Sequence, residues 1–145
     1  VDTELPDRHA YEERLAIEAE RARRYRYPLA LVLIELDALD AVAEQGGEPA
    51  VEDVMHEVAQ VLSGSRFADE AFRIGDGEFA ILLPHTDLAG AEAAAARMTM
   101  QVSASGIAGA SWGAASDEGH PGALNERAAQ ALEAGRGAGR SPSSD

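Results

Sequence analysis

The chain contains no cysteine. That excludes disulfides, thiolate nucleophiles and cysteine-based zinc sites, and it fits a reducing compartment. Any run of about 18 apolar residues is also missing, so nothing reads as a membrane span, and no charged-then-apolar leader marks a signal peptide. A soluble, cytoplasmic setting is the expectation. Positive charge is scarce: 12 Lys and Arg stand against 26 Asp and Glu, a formal net charge of −14. That balance repels nucleic acid and anionic membranes at long range, so a phosphate-bearing ligand has to be held by locally clustered arginines.

What is present suits one core. With 145 residues and ordinary apolar content, the chain is long enough for a single globular domain and too short for a second. Residues 1–136 are expected to form that domain, and residues 137–145, GAGRSPSSD, to be a flexible tail or linker. A start at Val1 points to a domain cut from a longer protein.

Asp7 is placed to cap a helix running to about Arg26, with Tyr11, Leu15, Ala19, Ala22 and Tyr25 near helical spacing. After Pro28, the segment from Leu29 to Asp37 is a near-continuous apolar run, the mark of a central strand buried on both faces. A short helix from about Ala38 should end at Gly46 and Gly47, and Pro49 should open another with Val51, Val54, Met55, Val58, Val61 and Leu62 on one face. Two hairpin strands follow, at about Glu70 to Ile74 and Glu78 to Leu83. Asp87 then caps a helix that turns Leu88, Ala91, Ala95, Met98 and Val102 inward and Arg97 outward. Ser105 to Ala115 reads as a small-residue strand containing a core Trp112, and Gly122 to about Arg136 as the last helix. The expected architecture is an α/β sandwich with a mixed sheet, not a doubly wound parallel fold.

Between the hairpin strands lies a glycine-rich acidic turn. An Asp76-Gly77 pair flanked by apolar strands is a strong hairpin signal, because Gly77 accepts positive φ without a Cβ penalty. Backbone amides at such a tip can approach a phosphate, and the carboxylates of Asp76 and Glu78 can hold a hard cation. The four histidines, His9, His56, His85 and His120, show no ligand spacing and read as surface or loop residues.

The stretch Arg73 to Pro84, RIGDGEFAILLP, resembles the signature hairpin of the GGDEF domain, the diguanylate cyclase family. The five signature positions read Gly75, Asp76, Gly77, Glu78 and Phe79. The resemblance continues along the chain: TELPDRHAY (Thr3 to Tyr11) is similar to TGLPNRRAF, ELDALD (Glu35 to Asp40) to DIDxFK, and ASWG (Ala110 to Gly113) to the family's SIG strand. Ala128 to Arg136, followed by Gly139 and Arg140, resembles ADxALYxAK and GRN. It implies a palm-like sheet with a central β-hairpin, wrapped by helices, as in nucleotidyl cyclases.

The resemblance also implies an activity and shows where this chain departs from it. The family condenses two GTP into cyclic di-GMP with Mg²⁺ or Mn²⁺ held by two carboxylates, one from the first strand motif and one from the third signature position. Here those positions are Glu35 and Gly77, so one ligand is lengthened and the other lost. Asp76 stands at the second-glycine position, bringing negative charge toward a triphosphate. Glu78 matches the position near the reacting hydroxyl, or is simply a solvated strand-start residue. Ala43 and Glu52 replace the Asn and Asp that read guanine, and Asp40 replaces a phosphate-side lysine. Arg136 and Arg140 keep cationic positions on the phosphate side, though a helix end also favours such charges.

A second site is implied by Arg66 and Asp69, six residues before Gly75, which match the family's inhibitory RxxD pair for cyclic di-GMP; Arg97 matches its further arginine. An Arg fork and an Asp suit a guanine edge, although such a pair alone is commonly a surface ion pair. The expected function is therefore a catalytically silent receptor that binds cyclic di-GMP through Arg66, Asp69 and Arg97 and signals to an attached or partner output domain. The alternatives are a cyclase of altered or weak activity, drawing on Glu35, Asp76 and Glu78, and a homodimerisation module that binds no nucleotide.

Overall fold

The computed structural model describes residues 5–37, 39–64, 70–104, 109–117 and 123–138, with the side chains of 135–138 left out of the description. Helix α1 (Arg8–Tyr25) starts as expected at Asp7, whose Oδ1 accepts from the Ala10 amide at 3.0 Å. It stops at Arg26, which turns left-handed (φ 60°) and closes on the Ala22 carbonyl at 2.8 Å just before Pro28.

Strand β1 (Leu29–Leu36) is buried along nearly its whole length. The sheet explains why. Helix α2 (Leu39–Ser63) follows, then β2 (Ala71–Gly75), β3 (Glu78–Pro84), helix α3 (Leu88–Ala104), β4 (Ala110–Asp117) and helix α4 (Leu124–Ala138). The strands lie in the order β2-β3-β1-β4, so β1 is interior and covered by helices on both sides. Ala30, Val32, Ile34 and Leu36 pack with Met55, Val58 and Leu62 of α2 and Ala91, Ala95 and Met98 of α3. Leu29, Leu31 and Leu33 face the other way, onto Tyr11 and Ala22 of α1 and Leu124 and Ala128 of α4. The α/β sandwich is thus the one the sequence led us to expect.

Strand direction differs from expectation. All three pairings among the described residues, β1 with β3, β1 with β4 and β2 with β3, are antiparallel, so that sheet is not mixed. Helix α2 returns the chain to β2, which runs parallel to β1 but is separated from it by β3, and α3 returns it to β4, antiparallel to β1, so the parallel-running strands are never neighbours, a geometry that alternation of strands and helices in sequence does not exclude.

Other boundaries hold closely where they are described, while 105–108, the expected start of the last strand, lie outside the described residues. Helix α2 is broken at Gly47 (φ 71°, ψ −164°), which separates the short helix from the one opened by Pro49. Helix α4 extends to Ala138, two residues into the segment expected to be tail. It packs so closely on β4 that a Cβ at Gly113 would meet the Leu132 backbone and come within 2.6 Å of the Ala128 carbonyl oxygen. The Tyr11 hydroxyl donates to Asn125 Oδ1 at 2.5 Å and its ring tilts on Phe72, tying α1 to α4 and β2; burial pushes its phenol well above the usual range.

Candidate functional site

The hairpin tip sits at the open end of β1. Gly77 has φ 73°, as the Asp-Gly pair led us to expect, while Asp76 stays in the ordinary negative-φ region. A turn of that kind adds less twist than the primed hairpin turns, and a bulge at Ile74, between the Arg73–Phe79 and Gly75–Glu78 pairs, supplies an extra kink. Two backbone contacts fix the tip. The Gly77 carbonyl accepts from the Leu36 amide at 2.9 Å, and the Gly77 amide donates to Met55 Sδ at 3.0 Å. A Cβ at Gly77 would lie 2.8 Å from Leu39 Cδ2 and 3.7 Å from Leu36 Cβ, so the direction a side chain would take is filled by leucine.

The signature residues separate onto two faces. On the α1/α4 face, Glu35 and Glu78 are directly opposed across β1 and β3, with Ser111 of β4 on the other side of Glu35. Glu35 and Glu78 line a cavity of about 220 Å³ together with Arg8, Asn125 and Glu133. Gly75 serves this pair, since a Cβ there would come within 2.8 Å of Glu78 Oε1. Phe79 points to the opposite face and is fully buried among the α2 and α3 side chains.

On the α2 face, Arg73 holds two carboxylates: Nη2 donates to Glu52 Oε2 at 3.1 Å and to Asp76 Oδ1 at 3.2 Å. Donation to the Glu52 carboxylate is the main cause that raises the pKa of the Arg73 guanidinium above its ordinary value, with Asp76 adding to it. The three residues rim a cavity of about 430 Å³ whose walls include Leu5, Met55, Ala59, Ile74 and His56.

Two corrections follow. Asp76 does not join Glu35 and Glu78 as a third carboxylate, because the bulge and turn deliver it to the other face. Nor does it present a bare negative charge, since Arg73 is its partner. Arg73 was missed as a site residue in the sequence, although an arginine in an otherwise apolar strand, three residues before an Asp and following the acid-rich segment at Glu52, was a usable signal.

A divalent cation bound as in the family would need carboxylates from positions 35 and 77. Gly77 offers none and the space beside it belongs to Leu39, so the residues present do not fit that arrangement. Among the described residues, no three His, Asp or Glu side chains gather in a metal-holding group.

The remaining candidates are placed unevenly. Arg97 is exposed on the outer side of α3. Arg66, Asp69 and Arg140 lie outside the described residues, and so does the side chain of Arg136, whose backbone belongs to α4. Ala43, Asp40 and Glu52 are exposed on α2, and Trp112 is half-buried against the core, as expected. His9 pairs with Glu13 at 3.2 Å, His56 lines the larger cavity, His85 stacks on Tyr27 with ring centroids 3.8 Å apart, and His120 is outside the described residues.

Among the described residues, a four-stranded antiparallel sheet lies between two helical layers, with a glycine-acidic hairpin at the open end of an interior strand. The model of the diguanylate cyclase GGDEF domain matches residues 1–141, and the chain belongs to the GGDEF family. It is 33% identical over 101 residues to the probable diguanylate cyclase DgcE of Escherichia coli K12, a match covering 69% of this chain and 9% of that protein. The chain therefore spans a small part of that curated relative. Among solved structures, the GGDEF domain of DgcB from Caulobacter crescentus, in complex with c-di-GMP, superposes with a TM-score of 0.87 at 22% identity, covering 97% of this chain and 88% of that one. The FimX GGDEF domain from Pseudomonas aeruginosa gives 0.85 at 23% identity, covering 97% and 94%. These likenesses establish the fold.

Proposed function

We propose that this GGDEF domain is catalytically silent and acts as a receptor, binding cyclic di-GMP through Arg66, Asp69 and Arg97 and passing occupancy to an attached or partner output domain. The observation that carries the silent half is Gly77, which lacks the carboxylate of the third signature position and has Leu39 where a side chain would go. The receptor half is supported by the Arg66-x-x-Asp69 spacing to the hairpin, by the exposure of Arg97, and by likeness to the DgcB domain, whose structure holds c-di-GMP. Guanidinium forks and a carboxylate supply the donors and acceptor that a guanine edge and a phosphodiester require. Replacing Arg66 by Ala is expected to abolish cyclic di-GMP binding in a calorimetric titration; unchanged affinity would remove the assignment.

One observation favours a second reading. Glu35 and Glu78 remain side by side at the mouth of a cavity, a remnant from which a weak or altered cyclase could work, with Arg136 and Arg140 on the phosphate side. Incubation with each nucleoside triphosphate and Mg²⁺ or Mn²⁺, followed by product analysis, tests it: no product under any pairing rules it out.

A further inference from the structure

We infer that Arg73, held between Glu52 and Asp76, is a latch that keeps the larger cavity closed to anionic nucleotides. The inference deepens the reading of a catalytically silent domain and rests on it.

The cavity has the size and lining of a ligand site: about 430 Å³, apolar walls from Leu5, Met55, Ala59 and Ile74, and a polar rim. Its chemistry turns on that rim. Arg73 is the cation at the hairpin side of the cavity, and a single nitrogen of its fork is donated to both Glu52 on α2 and Asp76 on the turn. The nearby Arg8 is engaged as well, with Glu12 at 3.2 Å and the Ile74 carbonyl at 3.3 Å. A polyphosphate or a nucleobase acceptor approaching this rim therefore meets two carboxylates and a cation already matched to them. Binding an anion requires Arg73 to exchange those partners, and Asp76 then stands as a like charge beside the ligand.

The latch bridges two elements that also meet at this end through the Gly77 amide on Met55 Sδ and through Leu39 beside Gly77. It links the hairpin turn to a helix through side chains alone, so releasing it frees the guanidinium without breaking a backbone pairing of the sheet. Its three side chains are 33%, 55% and 67% exposed for Arg73, Glu52 and Asp76. Ion pairs that exposed are weak, so the arrangement acts as a gate with an affinity cost, not as a permanent plug.

Isosteric changes test it on the whole chain. The E52Q/D76N variant removes both negative charges while keeping the shapes, and GTP, with and without Mg²⁺, is titrated calorimetrically against it and against the unchanged protein. The expected result is a gain of about tenfold or more in GTP affinity, or the appearance of binding where there was none, with half the effect in logarithmic terms from each single change. Adding Arg73→Ala to the double variant is expected to abolish the gain, because the released guanidinium is what captures the anion; a change in fold alone would not be reversed this way. Melting temperatures and circular dichroism identify misfolded variants. If D76N fails to fold, the E52Q single variant carries the test. GTP affinity unchanged in folded E52Q/D76N, or a gain that survives Arg73→Ala, overturns the latch. Cyclic di-GMP titrated against the same variants separates this from the receptor assignment: its affinity should not change, and its loss or absence bears on Arg66, Asp69 and Arg97 without touching the GTP comparison.

Discussion

The two faces of the hairpin treat acidic residues in opposite ways. On the α1/α4 face Glu35 and Glu78 confront each other across adjacent strands, and Gly75 clears space for the Glu78 carboxylate. On the α2 face Glu52 and Asp76 are gathered onto one arginine. Like charges directly opposed on a sheet cost stability, whereas carboxylates sharing a guanidinium do not. The two faces thus place their carboxylates differently: the α1/α4 pair lines a cavity across neighbouring strands, whereas the α2 pair is joined to a helix-to-turn ion pair.

The sharpest way to break this contrast is at Met55, which is fully buried and accepts the Gly77 amide. Met55→Ala should cost about 2–5 kcal/mol in chemical denaturation, because it leaves a cavity and frees the turn on the α2 side. A loss under about 1 kcal/mol would show that the tip is not held there. Next in size is Gly77→Ala, which places a Cβ at φ 73° against Leu39; a loss of about 1–2 kcal/mol is expected from the same measurement. The smallest effect belongs to the other face. Glu78→Gln removes one of two opposed charges and should leave stability unchanged or raise it by up to about 0.5 kcal/mol. Clear destabilisation would mean that Glu78 is held by a favourable partner and that the contrast between faces is wrong.

Much of this was legible before the structure. The Asp7 cap, the doubly buried run of β1, the break at Gly47 and positive φ at Gly77 all follow from local chemistry: a side-chain oxygen for orphan amides, apolar residues with no polar alternation, and glycine where a Cβ is disfavoured. The unread parts depend on non-local pairing. Strand direction is set by how helices return the chain, not by any residue within the strands. Asp76 and Gly77 form the turn between the paired Gly75 and Glu78, where strand alternation does not carry through, so counting alternate positions along the chain could not tell that Asp76 and Glu78 face different cavities. The opposition of Glu35 to Glu78 and the capture of Glu52 by Arg73 join residues 43 and 21 positions apart, separations at which sequence pattern carries no distance.

The most direct test of the central claim is calorimetric titration of the unchanged domain with cyclic di-GMP, run beside GTP with Mg²⁺. Binding of cyclic di-GMP in the micromolar range with none of GTP is the predicted result. GTP binding without cyclic di-GMP binding would contradict the receptor account and return the weight to Glu35 and Glu78.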